Sequence, residues 1–125
     1  MNQIIKSFIC ASAVTEFALV AIDSAGKVAI ATDPTANTII GVAQRGAEAG
    51  DPVDVVIFGE TRVIANGSLT LTSNTVLAVA ADGEVQAAVS THYPVGFTLP
   101  NVNQTSASAN EQIIICFQRG LAPLA

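Results

Sequence analysis

The stretch Gly41–Val63, GVAQRGAEAGDPVDVVIFGETRV, decides the fold. Gly41-Val42-Ala43 ends a short apolar strand. Glu48-Ala49-Gly50-Asp51-Pro52 is a turn, because Gly and Asp tolerate left-handed backbone and Pro fixes φ. Val53 to Phe58 then runs apolar with one charge, Asp54, and is bounded by Gly59. By the two-residue period of a strand, Val53, Val55 and Ile57 share one face, and Val56 and Phe58 share the other. A strand apolar on both faces has to be covered on both. That predicts a closed barrel, a sandwich or a subunit interface. Val55, Ile57 and Ile114 are expected in the core, the default place for such runs.

Working outward, the rest of the chain is written in the same alphabet. Half of its 125 residues are apolar, yet only 5% are aromatic and Trp is absent. Ala, Val, Ile and Thr dominate, and they favour strands over helices. The fold class read from this is all-β: a small antiparallel barrel or sandwich, a single domain of ordinary size. Only 12% of residues are charged, against about 25% in an average globular domain. A surface so poor in charge is expected to be covered by partners. The net charge of −5 comes with no basic cluster, so phosphate neutralisation, and with it direct nucleic-acid binding, is not expected. No apolar run approaches the roughly 18 residues of a membrane-spanning helix.

A repeat is visible in the turns. Ala21-Ile22-Asp23-Ser24-Ala25-Gly26-Lys27-Val28 aligns with Ala78-Val79-Ala80-Ala81-Asp82-Gly83-Glu84-Val85, glycine on glycine, each reading as a hairpin. Downstream, Ile40-Gly41-Val42 matches Val95-Gly96-Phe97, and Val53 to Phe58 matches Gln112 to Phe117. Two copies are too few for a solenoid, so a pseudo-twofold barrel or sandwich is the natural reading. The copies are assigned to residues 16–65 and 72–120 within a single domain 16–125, preceded by an arm at 1–15. Leu99 to Glu111, LPNVNQTSASANE, reads as the long polar surface loop of the second copy.

The arm superficially imitates a secretion signal, with Lys6 ahead of Phe8-Ile9-Cys10 and Ala11-Ser12-Ala13. Its apolar run is much shorter than the roughly 7–15 residues such a signal needs. Cys10 and Cys116 sit in apolar surroundings and read as two buried free thiols, a bridge between them requiring an oxidising compartment. Asn66-Gly67-Ser68 and Asn103-Gln104-Thr105 match the glycosylation acceptor pattern, which has meaning only on a secretory route.

The residues of catalysis do not assemble in the sequence. His92, beside Tyr93-Pro94, is the only histidine and has no base partner in view. Glu48, Asp51 and Asp54 cluster near a turn but lack calcium-loop spacing, and two Cys with one His make no zinc site. Neither a phosphate loop nor a dinucleotide fingerprint is present, and no Ser or Thr has the partners a nucleophile needs. No catalytic residue, metal or cofactor is expected. A carbohydrate-binding module would want exposed aromatic rings, and Tyr93 is the only Tyr.

The phrases Gly41-Val42-Ala43, Ala49-Gly50-Asp51-Pro52-Val53 and Gly59, with Val95-Gly96-Phe97 and a last strand at Ile113 to Phe117, carry a resemblance over most of Leu19 to Gly120. They resemble the small capsid-decoration, or head cement, proteins of tailed bacteriophages. What the resemblance implies is an all-β, trimeric structural protein on the outer capsid surface. It would be made in the host cytoplasm, bind the major capsid protein and cement neighbouring subunits. A tail, fibre or surface-layer subunit is the alternative. Cementing a shell against internal pressure needs apolar contact area and strand pairing, not chemistry, and many weak copies add up. The arm carries Ile4, Ile5, Phe8 and Ile9, which a short segment cannot bury alone. These four are the expected capsid-binding residues, mobile in the free protein and ordered on the capsid. Removal of residues 2–10 is expected to leave a folded domain that binds heads more weakly.

Overall fold

Runs of Val, Ile and Thr punctuated by turn glycines become strands, and the strands find each other in antiparallel register. The computed structural model describes residues 2–71, 75–99 and 104–124. Its strands are β1 (Gln3–Ile9), β2 (Leu19–Ile22), β3 (Val28–Ile30), β4 (Ile39–Ala43), β5 (Pro52–Ile64), β6 (Leu69–Thr70), β7 (Val76–Val79), β8 (Val85–Ala87), β9 (Gly96–Thr98), β10 (Ser106–Ala107) and β11 (Gln112–Phe117). A single 3₁₀ turn at Ala81–Gly83 is the helical content of the described residues. One curled antiparallel sheet forms a half-barrel in the order β3-β2-β4-β5-β11-β9-β7-β8, with β1 paired to β5 and a separate β6–β10 ribbon.

That order is a palindrome in which the two halves repeat each other. Val20 pairs with Gly41 and Leu19 with Val42; in the second half Leu77 pairs with Gly96 and Val76 with Phe97. The hairpins also close alike. The Asp23 amide donates to the Lys27 carbonyl at 2.9 Å, and the Ala80 amide to the Glu84 carbonyl at 2.6 Å. Gly26 and Gly83 supply the left-handed residue, at φ 78° and 73°.

The agreement reaches into segments the sequence leaves unmatched. A parallel bridge joins Cys10 to Val28, and another joins Ala65 to Val85. Each is extended in the same way, by the Ala11 amide on the Val28 carbonyl at 2.7 Å and the Asn66 amide on the Val85 carbonyl at 2.9 Å. Val14 pairs with Ala47 as Leu69 pairs with Ala107. The Gly50 amide donates to the Cys10 carbonyl and the Asn110 amide to the Ala65 carbonyl, both at 2.8 Å, with Gly50 and Asn110 both at positive φ.

These bonds fix the boundaries of the repeat. The first unit is residues 3–58 and the second 59–117, each a strand, a hairpin, a short Gly-bearing strand and a long strand. β1 is the opening strand of the first unit, equivalent to the second half of β5. Ile9 pairs with Pro52 and Phe8 with Val53, as Ile64 pairs with Gln112 and Val63 with Ile113. The arm expected at 1–15 is therefore extended but not detached: residues 3–9 are hydrogen-bonded to β5. The last-strand match also moves by one residue. Val42 faces Val56 and its equivalent Phe97 faces Cys116, so Val53 corresponds to Ile113 and Ile57 to Phe117. A one-residue slip exchanges the two faces of a strand, so the offset matters.

Each unit has its own core. Val20, Val28, Ala43, Val53 and Val55 centre the first, with Cys10 and Val14. Leu77, Val79, Val85, Val95, Ile113, Ile115 and Phe117 centre the second, and the outer face of the first unit, through Leu19, Ile39 and Val42, packs with them. Fully burying such a side chain contributes roughly 1.5–3 kcal/mol before chain entropy is subtracted. Val55 lies in the core as expected, whereas Ile57, which packs against the first core and lines a cleft, and Ile114 are only half-buried. Within the polar stretch 99–111, β10 is tied to β6, and Asn103 lies outside the described residues.

Both cysteines are free, Cys10 buried and Cys116 half-buried. Burial raises the Cys10 thiol above its ordinary pKa, which deepens its inertness. A thiol reagent is therefore expected to modify Cys116 first under native conditions, and both residues without added reductant once the chain is denatured. Mass spectrometry of the labelled protein reads this directly.

Candidate functional site

β1 places an apolar surface on the outside of the molecule. Along it, Ile4 lies opposite Phe58, Ile5 opposite Val56, Lys6 opposite Val55, Phe8 opposite Val53 and Ile9 opposite Pro52, with a bulge between Ile4 and Ile5. Lys6 and Phe8 share a side with the first core, and Phe8 packs against it. Ile4, Ile5 and Ile9 remain 56%, 51% and 42% exposed, and Phe58 adds a fourth large side chain at 48%. Of the four residues expected to bind a partner, three are solvent-facing and Phe8 anchors the strand. The sequence places Phe58 on the second apolar face of its strand without singling it out, because its spacing alone does not say what covers that face.

The strand is also an edge. β5 occupies one side of β1, and no strand pairs with its other side among the described residues. Soluble proteins usually blunt such edges with charge, Pro or bulges. Here the protection over seven residues is Lys6 and one bulge. Lys6 leans toward the Phe8 ring, its Nζ 6.0 Å from the centroid, at the limit of a cation–π contact. At the head of the strand, Gly59 pairs with both Gln3 and Phe117, so β1 and β11 lie end to end along one edge of β5. A Cβ on Gly59 would overlap the Asn2 carbonyl oxygen.

Beside β1, a cleft of about 470 Å³ opens over the first core, with Lys6 and Arg119 at its rim. Arg119 reaches across from the end of β11 to donate to the Asn37 carbonyl at 2.6 Å.

No catalytic constellation is found among the described residues. Groups of three or more His, Cys, Asp or Glu able to hold a metal are absent there, so Glu48, Asp51 and Asp54 do not converge. His92 is half-buried, and its Nδ1 accepts a long hydrogen bond from the Val89 amide at 3.3 Å. Replacing His92 with Ala is expected to change stability by no more than about 0.5 kcal/mol, the ordinary range for a surface position. Chelator is expected to leave the melting curve unchanged. A shift of several degrees in either experiment would restore a site there. Among the described residues no helix is long and apolar enough to cross a membrane.

This geometry defines a class: an all-β domain of two pseudo-twofold units with an open, apolar first strand. Among solved structures it is similar to the head fiber gp8.5 N base in bacteriophage phi29, with a TM-score of 0.69 and 18% identity over 99% of each chain. At that identity the likeness shows the fold. No protein-family model and no curated protein matches the chain.

Proposed function

We propose that this chain is a structural protein of a bacteriophage virion, carried on the outer surface of the head. In this reading it is a homotrimer that binds the major capsid protein, stabilises the shell between capsid subunits, and performs no catalysis. The observation that carries the reading is a likeness to a phage head fiber base that runs through both chains nearly end to end. The open edge of β1 and the exposed Ile4, Ile5, Ile9 and Phe58 support it, because they supply the apolar contact that the task needs. Two free thiols suit assembly in a reducing host cytoplasm.

The same neighbour favours a second reading, that of a base from which a fibre projects. Undecorated heads mixed with purified protein test both. Saturable co-sedimentation, with density over the capsid lattice in a reconstruction, supports a cement. Binding confined to sparse positions with a projecting stalk supports a fibre base. Absence of head binding overturns both. Light scattering of the free protein at several concentrations reads its oligomeric state.

A further inference from the structure

We infer that the cleft beside β1 is a binding site for an aliphatic group carrying an anionic head. The two-unit repeat makes the case. In the second unit, Val79 and Val95 are sealed in the core, and Phe117, although buried, forms part of the cleft's floor. Their equivalents in the first unit, Ile22, Ile40 and Ile57, are larger than or comparable to them in apolar reach, yet are only half-buried and line the cleft. Where the second unit has Thr61 fully buried, with the Gln44 amide donating to its hydroxyl at 3.1 Å, the first has the exposed Lys6. One fold, built twice, is closed in one copy and open in the other.

The opening has a charge of one sign. The chain has only five Lys and Arg against ten Asp and Glu, and two of those five, Lys6 and Arg119, stand at this rim. No carboxylate lines the cleft, and neither cation forms an ion pair among the described residues. Arg119 spends one nitrogen on the Asn37 carbonyl and keeps its other donors. An apolar floor under two cations that have no carboxylate partner among the described residues complements an alkyl or branched aliphatic chain ending in a carboxylate. The volume lies within the roughly 300–1,000 Å³ of ordinary ligand pockets. This inference does not depend on the virion reading.

Octanoate is the probe, followed by methyl NMR of the isoleucines in the full-length protein. Saturable shifts are expected at Ile22, Ile40 and Ile57. Octanol and octylammonium, with the same chain and no negative charge, are expected to bind more weakly. Lys6→Gln and Arg119→Gln are each expected to weaken octanoate by about fivefold, the upper range for a partly exposed ion pair, while leaving octanol unchanged. Both positions are at the rim, and an unchanged methyl spectrum of each single variant verifies its fold. Shifts absent at millimolar octanoate, or octylammonium binding as tightly as octanoate, would overturn the assignment. A free amphiphile and a partner's acidic side chain offer the same chemistry. Octanoate competing with head binding would identify the second source, and octanoate bound alongside heads the first.

Discussion

Gly59→Ala is expected to destabilise the protein by about 3–5 kcal/mol, the sum of strain at an unfavourable φ and overpacking against backbone. Gly59 sits at φ 114°, and a Cβ there would overlap the Asn2 carbonyl oxygen and press on the Gln3 Cα at 3.1 Å. Neither neighbour is the yielding tip of a side chain, so the strand itself has to move. Because Gly59 pairs with both Gln3 and Phe117, the damage falls where the two units meet. Gly50→Ala is the control. Gly50 also has positive φ, at 88°, but open space surrounds its Cβ position. It is expected to cost only the left-handed penalty of about 1–2 kcal/mol. Urea denaturation of both variants separates the terms, and equal midpoints would mean that the close approach of β1 is not a constraint. Hydrogen exchange is expected to rise first at residues 3–9 in Gly59→Ala.

Deleting residues 2–10 is expected to be worse still, with a loss above about 5 kcal/mol, comparable to the whole stability of many domains. Seen as a free arm, this segment would be dispensable for folding. In the structure it pairs with β5 from Pro52 to Gly59, brings Phe8 onto Val53 and Val55, and leads into the buried Cys10. Its removal leaves the first unit without its opening strand and bares a β5 edge. Surface substitutions separate docking from folding. Ile5→Thr with Ile9→Thr keeps β-branched residues at exposed strand positions, with an expected stability change of no more than about 1 kcal/mol for the pair. Circular dichroism and urea denaturation of the truncated and doubly substituted proteins measure the contrast. A truncated protein as stable as the full chain would show that β1 is an appendage after all.

The repeat was legible because its markers are rigid. Gly26 and Gly83 hold left-handed turns, and Gly41 and Gly96 lie where a Cβ would overlap the carbonyls of Val56 and Cys116, so the same letter recurs for the same steric reason. Val53 to Phe58 against Gln112 to Phe117 carries no such marker. A run of Val and Ile aligns nearly as well one residue off, and only the strand register corrects it. β1 was harder again. Of its equivalents only Ile64 for Ile9 keeps the residue type, with Thr61 standing for Lys6 and Val63 for Phe8, and its partner strand begins 43 positions further on, at Pro52 after Ile9. Apolar residues on both its faces signal contact without saying with what. For the same reason the sequence marks Ile4, Ile5 and Ile9 as apolar residues in need of cover, and the structure leaves them exposed, while Phe58, placed by its spacing on the second face of its strand, is exposed opposite Ile4. The cleft under Lys6 and Arg119 brings together residues far apart in sequence, a proximity created by the pairing of both β1 and β11 with β5.

We propose that the protein docks on a phage head through the open face of β1. The direct measurement is a reconstruction of heads decorated with wild-type protein, alongside occupancy for the Ile5→Thr, Ile9→Thr variant at matched concentration. Density is expected on the outer capsid surface with β1 and Phe58 against capsid protein, together with at least about tenfold weaker binding by the variant, equivalent to about 1.4 kcal/mol. Density in which β1 faces solvent, with equal occupancy for both proteins, would contradict it.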